Sequence, residues 1–156
     1  MSFDMHGRTM MGVRPEDAVR ELWAMNVLGV GVNCGRTLEE NLVAVTAMRR
    51  AAPEVTLIAK PNAGLPRMDG MVEAVYDVTP EIMADYALKF GAQGVKMMGG
   101  CCGSNPSHIS AVKAALQGFE LPALAEAVAV EAAEPTAASG NDREERRRRR
   151  AKICEG

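Results

Sequence analysis

The sequence predicts an α/β chain of about four βα units, read as the C-terminal half of a (β/α)8 TIM barrel, and three observations carry that reading. Short β-branched runs alternate with helical patterns through residues 1–118, as parallel strands joined by helices require. Residues able to do chemistry, Asp4, Asn33, Cys34, Lys60, Asn62, Cys101 and Cys102, fall at the ends of expected strands, where a barrel keeps its active site. The nearest dinucleotide-type run, Gly29-Val30-Gly31-Val32-Asn33-Cys34, has cysteine where a third glycine belongs and lies before and within its strand, so a doubly wound fold loses its main support. A whole barrel needs roughly 250 residues. Four units are half of one, and the expectation is that an N-terminal half-barrel or complementary chain completes it.

In the first unit Met1-Ser2-Phe3 reads as a strand end, followed by a loop from Gly7 to Gly12. A helix then starts at Pro15, with Glu16 and Asp17 in its first turn, Val19, Leu22, Trp23 and Val27 on one face, and Gly29 as its stop. The second unit has strand Val30–Asn33, then a helix opened by the box Thr37-x-x-Glu40, burying Leu38, Leu42, Val45 and Met48 and closed by Pro53. In the third, the run Val55–Ala59 is the clearest buried strand; a long loop from Lys60 to Val78 leads to a helix begun by Thr79-Pro80-Glu81, with Ile82, Met83, Tyr86 and Phe90 inward. The fourth has strand Gly94–Met98, a glycine-rich turn through Ser104, and a helix capped by Asn105 with Pro106 first, running to about Leu116.

Composition narrows the function. The chain has 156 residues, 47% hydrophobic and 24% charged, which fits one soluble domain and a tail. Without a long apolar run or a signal-peptide pattern, the expectation is a cytoplasmic protein that neither crosses nor inserts into a membrane. The formal charge of −2 hides an asymmetry, because residues 141–156 are basic and the remainder is acidic. An acidic body argues against nucleic acid as a partner. Residues 119–156, rich in Ala, Glu, Pro and Ser before the run Arg146 to Arg150, read as linker and solvated charged tail, with Cys154 a free thiol.

Four cysteines in a reducing compartment suit metal or catalytic use, and adjacent Cys101 and Cys102 could bond to each other only through a strained ring. Cys34 follows one strand and Cys101-Cys102 another two units on, so a closed barrel would aim three sulfurs at one point. Three thiolates suit zinc and leave a fourth position open. The alternative is three buried cysteines acting as small hydrophobes. Gly99-Gly100 and Gly103 favour the metal by freeing the backbone for both sulfurs to turn to one ion.

Three segments, Gly31-Val32-Asn33-Cys34-Gly35, Lys60-Pro61-Asn62-Ala63-Gly64-Leu65-Pro66 and Gly99-Gly100-Cys101-Cys102-Gly103-Ser104-Asn105-Pro106-Ser107-His108-Ile109, resemble the C-terminal motifs of the homocysteine S-methyltransferase family. The opening Phe3-Asp4-x-x-Gly7-Arg8-Thr9-Met10 and the Pro61–Pro66 loop are most similar to the homocysteine domain of its cobalamin-dependent methionine synthase branch. The resemblance implies a zinc ion held by Cys34, Cys101 and Cys102 that binds and activates homocysteine for methylation to methionine. It also implies a methyl donor such as methylcobalamin, supplied by another domain or protein, with corrinoid and folate domains as partners. Zinc coordination deprotonates a thiol without a general base, and an all-sulfur ligand set keeps that sulfur more nucleophilic than harder ligands would.

Other residues carry smaller expectations. The Asn62 oxygen is a candidate fourth zinc ligand, displaced by substrate, or else a turn asparagine bonded to its own backbone. Asn33 is expected to brace the Cys34 turn. Asn33, Asn62 and Asp4 are candidate substrate-binding residues; Asp4 and Lys60 suit either the amino-acid zwitterion or ion pairs beyond it. His108 reads as a capping or surface residue and His6 as an unpartnered loop histidine, while Met10, Met11, Met97 and Met98 read as core filler. Two other functions compete: a phosphate-binding barrel fragment using the helix start at Asn105, and a structural zinc or interaction module without catalysis.

Overall fold

A computed structural model describes residues 1–4, 6–69 and 73–123. The expectations for residues 124–156, including the arginine run and Cys154, lie outside these.

Helix α1 (Pro15–Ala24) precedes strand β1 (Val30–Cys34), helix α2 (Leu38–Ala51) and strand β2 (Leu57–Pro61). A short hairpin, β3 (Arg67–Asp69) and β4 (Glu73–Val75), leads to helix α3 (Pro80–Ala92), strand β5 (Val95–Met98) and helix α4 (Pro106–Ala115). Strands β1, β2 and β5 form one parallel sheet in that order. This is a mixed α/β architecture consistent with part of a barrel. The Met1–Phe3 segment is too short to count as a strand, yet Met1 donates to the Gly31 carbonyl (2.6 Å) and accepts from Asn33 N–H (2.9 Å), as a fourth parallel strand would.

Alternation sets the two faces of the sheet. Val30, Val32, Leu57, Ala59 and Val95 are buried against Ala18 and Val19 of α1, Ala44, Val45 and Met48 of α2, and Phe90 of α3. The opposite face carries the register row Gly31, Ile58 and Met97, and Met97 is 59% exposed. Gly31 is required there, because a Cβ would overlap the Ile58 carbonyl of the neighbouring strand.

Local chemistry explains the helix starts. Thr37 Oγ1 accepts from Glu40 N–H (3.1 Å) and Thr79 Oγ1 from Ile82 N–H (3.4 Å), each satisfying a donor that the first helical turn leaves free. Proline at the first position starts α1, α3 and α4.

Several expected details are corrected. Helix α1 ends at Ala24, where Asn26 takes a positive φ, rather than at Gly29; Gly29 instead lets β1 approach Thr56 and Ile58. Strand β2 runs two residues later than the run Val55–Ala59, and the segment expected to be loop from Lys60 to Val78 contains the β3–β4 hairpin. Ile82 is 42% exposed while Ala87 takes its place inside. Met10 and Met11 are 99% and 89% exposed, and of the four methionines read as core filler only Met98 packs against the core. Phe119, placed in the linker by the sequence, packs its ring on Gly91 of α3.

Candidate metal centre

The strand order brings the cysteines together. Cys34 is the last residue of β1, and Cys101 and Cys102 lie just beyond the end of β5, with β2 between them. The three sulfurs lie within 4.8 Å of one another. Cys34 and Cys101 are the nearest pair, 3.1 Å apart, with Cys101 and Cys102 at 3.9 Å. Among the described residues, this cluster of possible metal ligands contains no histidine or carboxylate. A trio of soft donors converging at one point, with no fourth charged ligand beside them, fits a thiophilic ion such as zinc with an open position.

Backbone shape directs the first sulfur. Cys34 has φ +57° and Gly35 φ +77°, so the chain leaves β1 through two left-handed residues. A non-glycine residue there costs roughly 1–2 kcal/mol, and such outliers concentrate at functional sites. Asn41, buried on the first turn of α2, holds the bend: its Nδ2 donates to the carbonyls of Cys34 (2.8 Å) and Thr37 (3.0 Å). Asn33 Nδ2 donates to Cys34 Sγ (3.2 Å), a contact that favours the thiolate.

The second pair is held by the loop after β2. Asn62 donates from Nδ2 to the Gly35 carbonyl (2.9 Å) and accepts at Oδ1 from Cys102 N–H (3.0 Å), so one side chain spans both cysteine turns. Backbone bonds repeat the tie: Asn62 N–H to Cys34 O (3.2 Å), Cys101 N–H to Pro61 O (2.8 Å) and Ala63 N–H to Cys102 O (2.8 Å). The Lys60 stem lies along Gly99, where the cysteine turn begins.

Electrostatics within the sulfur pair run in opposite directions. The hydrogen bond to Cys101 pushes the Cys34 thiol above its ordinary value, with burial adding to the effect, while the bond from Cys34 holds Cys101 below its own. The hydrogen bond thus favours Cys101 as the thiolate of the pair.

The remaining candidates are placed as follows. Asp4 Oδ1 accepts from His6 N–H (2.9 Å) and Arg8 N–H (3.4 Å), which engages its carboxylate in its own turn, and His6 thus has a backbone partner. His108 caps α4 as the sequence suggests, but it is buried rather than superficial, accepting at Nδ1 from Asn105 N–H and donating from Nε2 to Val78 O (2.9 Å). Asn105 Oδ1 already accepts the N–H groups of Ser107 and His108. The helix start on which the phosphate reading depended is thus satisfied internally. Sequence reasoning missed Asn41, whose signal is a polar residue on the buried face of a helix, and Arg49, a cation on that same face.

A parallel α/β sheet with three converging thiols at its C-terminal edge defines the class: a chain with a sulfur-rich candidate metal site where α/β folds place their chemistry. Residues 1–116 match the family model described as homocysteine S-methyltransferase, and the chain belongs to that family.

Proposed function

We propose that this chain is the homocysteine-activating part of a zinc-dependent methyltransferase that makes methionine. The convergence of Cys34, Cys101 and Cys102 from two strand ends carries the reading. Cys34, Cys101 and Cys102 would hold the zinc, which when bound would supply the Lewis acidity to ionise a substrate thiol near neutral pH. Asn33 donates to the Cys34 sulfur, while Asn41 and Asn62 fix the two turns that carry the sulfurs. The homocysteine sulfur then forms the new S–CH3 bond, the donor keeps the electron pair of the bond it loses, and the thiol proton goes to solvent.

In this reading Asn62 braces the two turns, its oxygen accepting the Cys102 amide and keeping a second lone pair for the fourth-ligand role. Asn33, Asp4 and the exposed Lys60 remain the candidates for contacting the amino-acid end of the substrate. The half-barrel in this reading spans residues 1–118, with Phe119 packed against its α3 helix. The open sheet face at Ile58 and Met97 supports completion of a barrel by further βα units. Similarity of the opening segment and the Pro61–Pro66 loop to cobalamin-dependent enzymes favours methylcobalamin, presented by a corrinoid domain or protein, as donor. A thiolate site of this kind belongs in a reducing compartment such as the cytoplasm. Among the described residues no helix is long and apolar enough to cross a membrane.

The test is zinc content of the purified chain, followed by proton release when homocysteine is added. One zinc per chain and about one proton per thiol bound are expected. A chain that takes up no zinc, or a zinc form that ignores homocysteine, contradicts the proposal.

A further inference from the structure

Cys102 is the most exposed of the three cysteines, and Asn62, Ala63 and Tyr76 contact its turn. Its N–H is held by the Asn62 oxygen and its carbonyl by Ala63 N–H. The next residue, Gly103, has φ +76°, and a Cβ built there would overlap the ring of Tyr76. The aromatic face is therefore packed flat against the glycine that follows the ligand.

Tyr76 is anchored from behind. Its ring packs on the buried cluster of Ala63, Met83, Ala87 and Val112. Two residues on, Val78 donates to Ala63 O (3.1 Å) and accepts from buried His108 (2.9 Å). A rigid support thus presses on a left-handed residue that only glycine adopts without strain.

We propose that Tyr76 is a positioning residue for the metal site, its ring holding the Gly103 turn so that the Cys102 sulfur points to the same centre as Cys34 and Cys101. The inference rests on the zinc reading above. The contact uses the face of the ring, so the hydroxyl is dispensable. Without the ring, the glycine turn regains other backbone conformations and Cys102 drops out of the ligand set first.

The experiment measures zinc affinity by chelator competition on the full chain, and the thiolate-to-metal charge-transfer band of the cobalt-substituted form. Tyr76→Ala is expected to weaken zinc roughly 10–100-fold, in the range for residues that orient ligands, and to reduce the charge-transfer intensity. Tyr76→Phe is expected to restore both. Because Tyr76→Ala also removes packing, Tyr76→Leu serves as the second variant; it keeps an apolar contact with the cluster and should still bind zinc weakly. If Tyr76→Ala and Tyr76→Leu bind zinc like the wild type with unchanged cobalt spectra, the inference is wrong while the metal site stands. If Tyr76→Phe loses as much as Tyr76→Ala, the ring-face argument fails. A wild-type chain that binds no zinc overturns the site reading and this inference with it.

Discussion

At the N-terminal end of the parallel sheet one fully buried cation ties the strand entries together, whereas at the C-terminal end the ties are neutral amides and the charge is left to sulfur. Arg49 of α2 donates to the carbonyls of Val55 (2.9 Å) ahead of β2, of Gln93 (3.0 Å) and Gly94 (2.9 Å) ahead of β5, and of Pro53. It is 0% exposed, and burial lowers its pKa, with Glu54 opposing the shift. The guanidinium fork suits this work because its donors are fixed in a plane and satisfy several carbonyls at once. Asn41 and Asn62 do the corresponding job at the other end with short neutral side chains. The contrast teaches that one end of these units is built for stability while the other gathers sulfur, at the strand ends where parallel α/β folds place their chemistry.

Substitutions at each end should therefore separate folding from metal binding. The largest effect is expected from Cys34→Ser, Cys101→Ser or Cys102→Ser, each of which should abolish stoichiometric zinc, read by metal analysis, while leaving the metal-free unfolding midpoint nearly unchanged. Arg49→Met should do the reverse. It strands four carbonyls and is expected to cost roughly 4 kcal/mol or more in denaturant titration, at 1–3 kcal/mol for each group left unsatisfied, with zinc affinity kept in the folded fraction. If it released zinc at full stability, the division between the ends would be false.

Asn62→Ala, and separately Asn41→Ala, should weaken zinc roughly 10–100-fold by freeing a cysteine turn. Their cost in stability should be smaller, about 1 kcal/mol.

A pH titration of the metal-free chain sharpens the comparison further. The thiolate absorbance of the sulfur pair should rise in two steps, because the shared hydrogen bond lowers Cys101 and raises Cys34. The depressed Cys101 stabilises the fold above its unfolded pKa, and that contribution is lost as pH falls through the folded value. The raised Cys34 has the opposite sign, stabilising below its unfolded pKa and losing this as pH rises through the folded one. Cys34→Ala removes the donor and should move the Cys101 step up towards an ordinary thiol. An unmoved step would refute the role of the Cys34–Cys101 hydrogen bond. The smallest effect, about 1 kcal/mol, is expected for Asn105→Ala, which removes the α4 cap.

Much of this was legible in the sequence where a single residue type has few uses. The proline starts, the Thr37, Thr79 and Asn105 caps and the three cysteines are such signals, since each satisfies a need that the local chain states outright. What the sequence did not disclose depends on distant partners. The hairpin inside the Lys60 to Val78 segment has strands of three residues each, too short for periodicity to register. The exposure of Met97 follows from the register row it shares with Ile58, on the face away from the helices. Arg49 reads as an ordinary basic residue near a helix C-terminus until the carbonyls of Gln93 and Gly94 are seen around it.

The number of sulfurs around the zinc before and after homocysteine, measured by X-ray absorption on the full chain, tests the central claim most directly. Three protein sulfurs and one lighter ligand are expected at rest, becoming four sulfurs when homocysteine binds, with the three contributed by Cys34, Cys101 and Cys102. Four sulfurs before any thiol is added, with Cys154 required for the fourth, would make the site closed and structural and would contradict methyl-acceptor activation by this chain.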